Sequence, residues 1–157
     1  MADFQGHGAF VDAIRQGIVQ ALQTRARDIA LVDPDLDRWP LDDPDLLEDL
    51  SAFARLPARR LLVLAASYDG VRQTLPRFTR WRATWSHAVD ARCPEEPQRP
   101  LPSALLVDHA RAVVLRDREL WAGAVLDGGA AVHQLRDSFD AQMQRGTPCF
   151  AATVLGL

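Results

Sequence analysis

Two stretches of this chain carry apolar runs with no polar break: DIALV at 28–32 and RLLVLAA at 60–66. A strand with one face in water alternates apolar and polar residues, whereas a strand buried on both faces does not. Two such runs therefore call for a sheet covered on both sides. Helical patterns alternate with them, which is the order of an α/β fold with a partly parallel sheet. The 157 residues give room for one domain of ordinary size. We expect a single domain over 1–157, with a core at about 10–146 and an apolar tail at 147–157.

The periodicity predicts the remaining elements. Phe10, Ile14, Ile18 and Leu22 form one stripe of a helix over 9–26. The stretch at 33–45, with three prolines and six aspartates, reads as loop. Asp43 followed by Pro44 marks a helix start that runs to about Leu56. A helix is expected over 75–85 with Thr74 as its cap, then a strand over 86–92 and a proline loop over 93–102. Runs at 103–107 and 111–115, joined by Asp108, His109 and Ala110, read as a β-hairpin. A strand over 119–126 follows. A last helix over 130–145 turns Val132, Leu135, Phe139 and Met143 inward, and Gly146 ends it. The tail is expected at a sheet edge, and His7 in a frayed terminus.

Composition removes several kinds of function. All 18 basic residues are arginine, so mechanisms that need a lysine are excluded. A net charge of −3 argues against a general nucleic-acid coat. No run is long enough to span a membrane, and the first residues lack the pattern of a secretory signal. Cys93 and Cys149 do not make a disulfide framework. These readings point to a cytoplasmic protein. No cofactor is expected. No metal site is expected either, since no histidine pair has ligand spacing.

The order of elements, with VDHARAVVL at the hairpin, resembles one half of a phospholipase D superfamily catalytic domain. That resemblance implies a mixed β-sheet flanked by helices on both faces. In the family the hairpin carries His-x-Lys-x-x-x-x-Asp, with the aspartate at the turn. If Asp108 takes that place, Leu101 and Ser103 fall at the histidine and lysine positions. If His109 takes the histidine position, Arg111 takes the lysine position. The aspartate position then falls on Arg116, and Asp117 comes one residue late. The first register fits the hairpin better. The segment LRDRELW at 115–121 also lacks the family's Gly-Ser and Asn. The resemblance therefore implies a degenerate, non-catalytic domain of a kind found in small bacterial proteins. Full members pack two halves about a pseudo-twofold axis, so a single half implies a homodimer.

Three readings of function follow. In the first, the domain is non-enzymatic and binds a ligand or partner through Ser103, Asp108, His109 and Arg111. In the second, it is a homodimeric phosphodiesterase or nuclease that uses His109 and Arg111 from each subunit as catalytic residues. In the third, it binds phosphate or single-stranded nucleic acid through Arg77, Arg80 and Trp81, part of a segment where arginines interleave with aromatics. Tyr68, Asp69 and Gly70 also draw notice, because they stand beyond the carboxyl end of a buried strand. The eight carboxylates between Asp33 and Asp49 read as solvated loop and helix caps.

Overall fold

The computed structural model describes residues 2–152. Along the chain they form β1 (Ala2–Phe4), α1 (His7–Gln23), β2 (Asp28–Asp33), α2 (Pro44–Arg55) and β3 (Arg60–Ala65). Next come α3 (Asp69–Thr74), α4 (Pro76–Thr84) and β4 (Val89–Cys93). The last part is β5 (Ser103–Val107), β6 (Arg111–Asp117), β7 (Ala122–Asp127), α5 (Ala130–Arg145) and β8 (Thr147–Pro148). The strands lie in one eight-stranded sheet ordered β1-β7-β6-β5-β2-β3-β4-β8. β2, β3 and β4 run parallel, and every other pairing is antiparallel.

Helices cover both faces. On one side Ile29, Leu31, Leu61 and Val63 pack under Phe10 and Ile14 of α1, Leu50 and Phe53 of α2, and Phe78 of α4. On the other, Ala30, Val32, Leu62 and Leu64 pack under Val132, Phe139 and Met143 of α5. Neighbouring residues of β2 and β3 thus serve opposite layers, which is why their sequences do not alternate. The fold is the mixed α/β sheet with helices on both faces that the apolar runs require. Gly17 is the one break in the α1 stripe. A Cβ there would meet Leu105 Cδ2 at 2.8 Å, so the helix uses glycine to lie close to the sheet.

Several local expectations change. The N-terminal residues are not frayed: β1 pairs with β7, and His7 Nε2 lies 2.8 Å from the Arg38 carbonyl oxygen. α1 accordingly starts at His7. The helix expected over 75–85 is preceded by a short α3, and Thr74 is not its cap. Thr74 closes α3, with its hydroxyl donating to the Gly70 carbonyl at 2.7 Å. The cap of α4 comes from far along the chain: Asp42 Oδ1 accepts from the backbone N–H of Arg77 at 2.7 Å and of Phe78 at 3.1 Å. Asp43 occupies the N-cap of α2 but makes no side-chain cap bond, because its carboxylate pairs with Arg15. In α5 the buried face holds Arg136, while Leu135 is half-buried. Gly146 has an ordinary negative φ of −73°. It is small because a Cβ would meet the Cys93 carbonyl oxygen at 2.6 Å.

The cysteines also differ from expectation. Cys93 and Cys149 form a disulfide, with Cα atoms 5.7 Å apart. The pair lies where the edge strand β8 meets β4. Spacing alone did not signal it, because the sheet brings residues 56 positions apart together. The final five residues of the apolar tail, 153–157, lie outside the described part. The tail residues before them include β8 and the buried Phe150. Among the described residues no helix is long and apolar enough to cross a membrane.

Candidate functional site

β5 runs antiparallel to β2, and β6 runs antiparallel to β5. The carboxyl end of β2, the start of β5 and the residue after β6 therefore meet at one end of the sheet. They bring together Asp33, Ser103 and Arg118. Asp33 is fully buried. Its Oδ1 accepts from Ser103 Oγ at 2.5 Å and from Arg118 Nη2. Its Oδ2 accepts from the backbone N–H of Leu36 at 2.7 Å and of Asp35 at 3.1 Å. Arg118 Nη2 also lies 3.0 Å from Ser103 Oγ, and Nη1 reaches Asp35 Oδ1 at 3.4 Å. Leu36, with φ of 60°, closes the turn that wraps the carboxylate.

This cluster satisfies itself. A buried carboxylate needs donors on both oxygens, and Asp33 has them. The Arg118 charge is matched by Asp33 and Asp35. Ser103 donates its proton to a carboxylate and has no histidine beside it in these contacts. Leu101 is buried among Ala104, Leu106 and α5 side chains, with no polar role.

The hairpin residues separate. Asp108 sits in the left-handed region with φ of 48°, which aspartate tolerates better than most residues. Its Oδ1 accepts from the backbone N–H of Arg27 at 3.1 Å and of Asp28 at 2.9 Å. The Asp108 backbone N–H returns a bond to the Asp28 carbonyl at 3.1 Å. Asp108 thus ties the hairpin turn to the start of β2. His109 is exposed and stacks on His133 of α5, with ring centroids 5.6 Å apart. Arg111 lies on the opposite face, along α1 beside Gln16 and Gln20, with Asp127 Oδ1 3.6 Å from its Nη1. Within one chain, His109 and Arg111 share no cleft.

On α4, Arg77 and Arg80 are exposed. Trp81 is buried, and its indole N–H donates to Ser51 Oγ at 2.9 Å. The ring is therefore core. Tyr68 is buried too, its phenol donating to the Arg92 carbonyl at 2.8 Å. Burial is the main cause that holds its pKa well above the ordinary tyrosine value.

Sequence reasoning named Ser103 but missed Asp33 and Arg118. Asp33 was readable: it continues the period-two face of Ile29 and Leu31, so its side chain had to enter the core layer. Nothing local marks Arg118, whose place follows from the β6–β7 pairing.

Comparison with known proteins bears on family and fold. The family model described as "Domain of unknown function (DUF7931)" matches residues 11–155. No curated protein sequence matches this one. Among solved structures, the chain is similar to the phospholipase D family member Nuc from Salmonella typhimurium. That match has a TM-score of 0.57 and 10% identity, and covers 86% of this chain and 90% of that one. It is also similar to TrmBL2, an archaeal chromatin protein with a novel mode of DNA binding. Here the TM-score is 0.59 at 11% identity, over 95% of this chain and 54% of that one. At these identities the likeness is one of fold.

Proposed function

From the premise that the chain belongs to the DUF7931 domain family and has a phospholipase D-like fold, we propose a non-catalytic domain that binds a ligand or partner. The carrying observation is the self-satisfied cluster at the sheet end. Ser103, aligned to the family's lysine, is spent on Asp33, and Leu101, aligned to its histidine, is packed in the core. Phosphodiester transfer of this type needs a nucleophile and an acid to protonate the leaving group. Neither role has a side chain there. The unit is read as one domain, degenerate relative to a full half, and as a homodimer that presents its surface twice. In this reading His109, with His133 beside it, and Arg111 belong to recognition surfaces on opposite faces. Disulfides are rare in reducing compartments, so the Cys93–Cys149 bond weighs against the cytoplasmic setting expected from sequence.

The test is turnover of bis-p-nitrophenyl phosphate from about pH 5 to pH 9, which spans histidine titration. No turnover above background is expected. Activity that disappears in His109→Ala would replace this reading with the dimeric phosphodiesterase. Sedimentation at micromolar concentration should report twice the 17.4 kDa chain mass. A monomer would remove both the dimer and any shared active site.

The nucleic-acid reading keeps one observation in its favour: Arg80 and Arg77 are exposed on one helix. The buried Trp81 removes the stacking contact on which single-strand binding usually relies.

A further inference from the structure

Away from the sheet-end cluster, a groove opens where α3 and α4 face the β4 edge and the residues after β8. Arg72, Arg82, Val89, Ala91, Pro148 and Phe150 line it. Both arginines are engaged with the same residue. Arg82 Nε donates to the Phe150 carbonyl at 2.9 Å, and the Arg72 guanidinium lies 5.0 Å from the centre of the Phe150 ring. The same ring stacks with Tyr68, with centroids 5.1 Å apart.

Arg82 is the anomaly. It is more than nine-tenths buried, and its Nη1 is buried with no hydrogen-bond partner among the described residues. Neither Arg82 nor Arg72 takes part in any ion pair among the described residues. Burial drives the Arg82 pKa downward, against smaller upward pulls from Tyr68 and Asp90, and the nearby Arg72 cation adds a lesser downward one. Guanidinium nevertheless stays protonated in proteins, so the charge cannot be shed. An unpaired buried cation is among the costliest arrangements a fold can hold. Among the described residues that line the groove, the one carboxylate, Asp90, is already held by Arg92 Nε at 3.0 Å. Among the described residues, neither guanidinium has a carboxylate of its own.

We propose that this groove binds a small organic oxyanion, a phosphate or carboxylate held between Arg72 and Arg82, with its apolar body against Val89, Ala91 and Pro148. Arginine's planar fork suits either oxyanion, and the remaining lining suits a short hydrocarbon or aromatic part. The site is independent of the Asp33 cluster, so either assignment can stand if the other falls.

The experiment titrates the disulfide-intact protein with phenyl phosphate and, separately, with benzoate, at ionic strength matched with sodium chloride. The readouts are calorimetric binding and the NMR shifts of arginine Nε–H groups. Saturable binding of at least one probe is expected, with a shift at Arg82. Phenyl phosphate alone would identify the ligand as a phosphate, and benzoate alone as a carboxylate. Arg72→Ala should weaken binding about tenfold, the loss of one charge-assisted contact. Arg82→Gln should abolish it, and the Arg72 variant carries the test if the Arg82 variant does not fold. Arg80→Ala, on the exposed face of the same helix, should bind like the wild type. Absence of saturable binding by both probes overturns the proposal. So does unchanged affinity in Arg72→Ala, or loss in Arg80→Ala instead, which would move the anion to the outer face of α4.

Discussion

Removing the Asp33 carboxylate strands three donors, Ser103 Oγ and the backbone N–H groups of Asp35 and Leu36, and leaves Arg118 Nη2 with Ser103 Oγ alone. Asp33→Ala should therefore destabilise the fold by about 3 kcal/mol or more, read from urea unfolding. Arg118→Ala leaves a buried carboxylate short of its cation and should cost a comparable amount. The double variant should cost clearly less than the sum, because the two side chains satisfy each other. Strict additivity would mean that they act independently. Tyr68 gives a second prediction at this scale. It is the chain's only tyrosine; there is no lysine, and both thiols are in the disulfide. Its phenol therefore stands alone among side chains that titrate between about pH 9 and pH 12. Burial raises its folded pKa above the ordinary 10.0. The stabilisation is then fully present below pH 10 and is lost as pH rises, because the unfolded phenol ionises first. Stability should fall by about 1.4 kcal/mol per pH unit above that point, and Tyr68→Phe should flatten the slope. A tyrosinate absorbance that rises ahead of unfolding would contradict this. Residues were legible where one face decided their fate: Val63 and Phe10 announce themselves by pattern. Asp33 did not, because an acidic residue in a run of aspartates reads as solvated until its strand register is followed one step further.

At the level of elements, the parallel core was the most legible part. β2 and β3 are apolar for reasons that no neighbour can alter. Val63, at the centre of β3, is fully buried. Val63→Asp places an unpaired carboxylate there, at a cost of several kcal/mol, roughly a whole domain's margin. Loss of cooperative unfolding by circular dichroism is expected, and a soluble variant that unfolds cooperatively would argue against the burial. The antiparallel side was less legible, because its details depend on partners. β1 has three residues and exists only because β7 offers an edge. β7 in turn carries a register shift against β6 between Leu115 and Asp117. Gly123 sits at that irregularity, where a Cβ would lie 1.9 Å from the Val114 carbonyl oxygen and 2.9 Å from Phe4. Backbone cannot yield as a flexible side chain can. Gly123→Ala should cost about 3 kcal/mol or more and loosen β1, which amide exchange in residues 2–4 would report. Gly17→Ala meets only the end of Leu105 and should cost less. The α3–α4 boundary was hidden for a similar reason: its cap, Asp42, reaches α4 from 35 residues away.

Across the whole molecule, the two halves of the chain are joined in unequal ways. β1 closes one edge of the sheet and β8 the other, so both exposed edges are shortened by strands from opposite ends of the sequence. Short edge strands limit pairing with other chains. The disulfide adds a covalent tie at the β8 edge. Its bond makes a ring that contains β5, β6, β7 and α5, while β1 to β3 remain outside as a linear segment. Under load the two segments would behave differently. Stretched between its ends, the oxidised molecule can pay out only the linear part, because the ring is bypassed by a covalent shortcut. With its cysteines 56 positions apart, the ring withholds about 200 Å of contour length at roughly 3.6 Å per residue. Force–extension curves recorded with and without reductant should differ by that length, and identical curves would mean that the cysteines are not joined. About a third of the chain is thus mechanically shielded, and the groove wall at Cys149 stays anchored to Cys93 after the parallel core has been pulled straight.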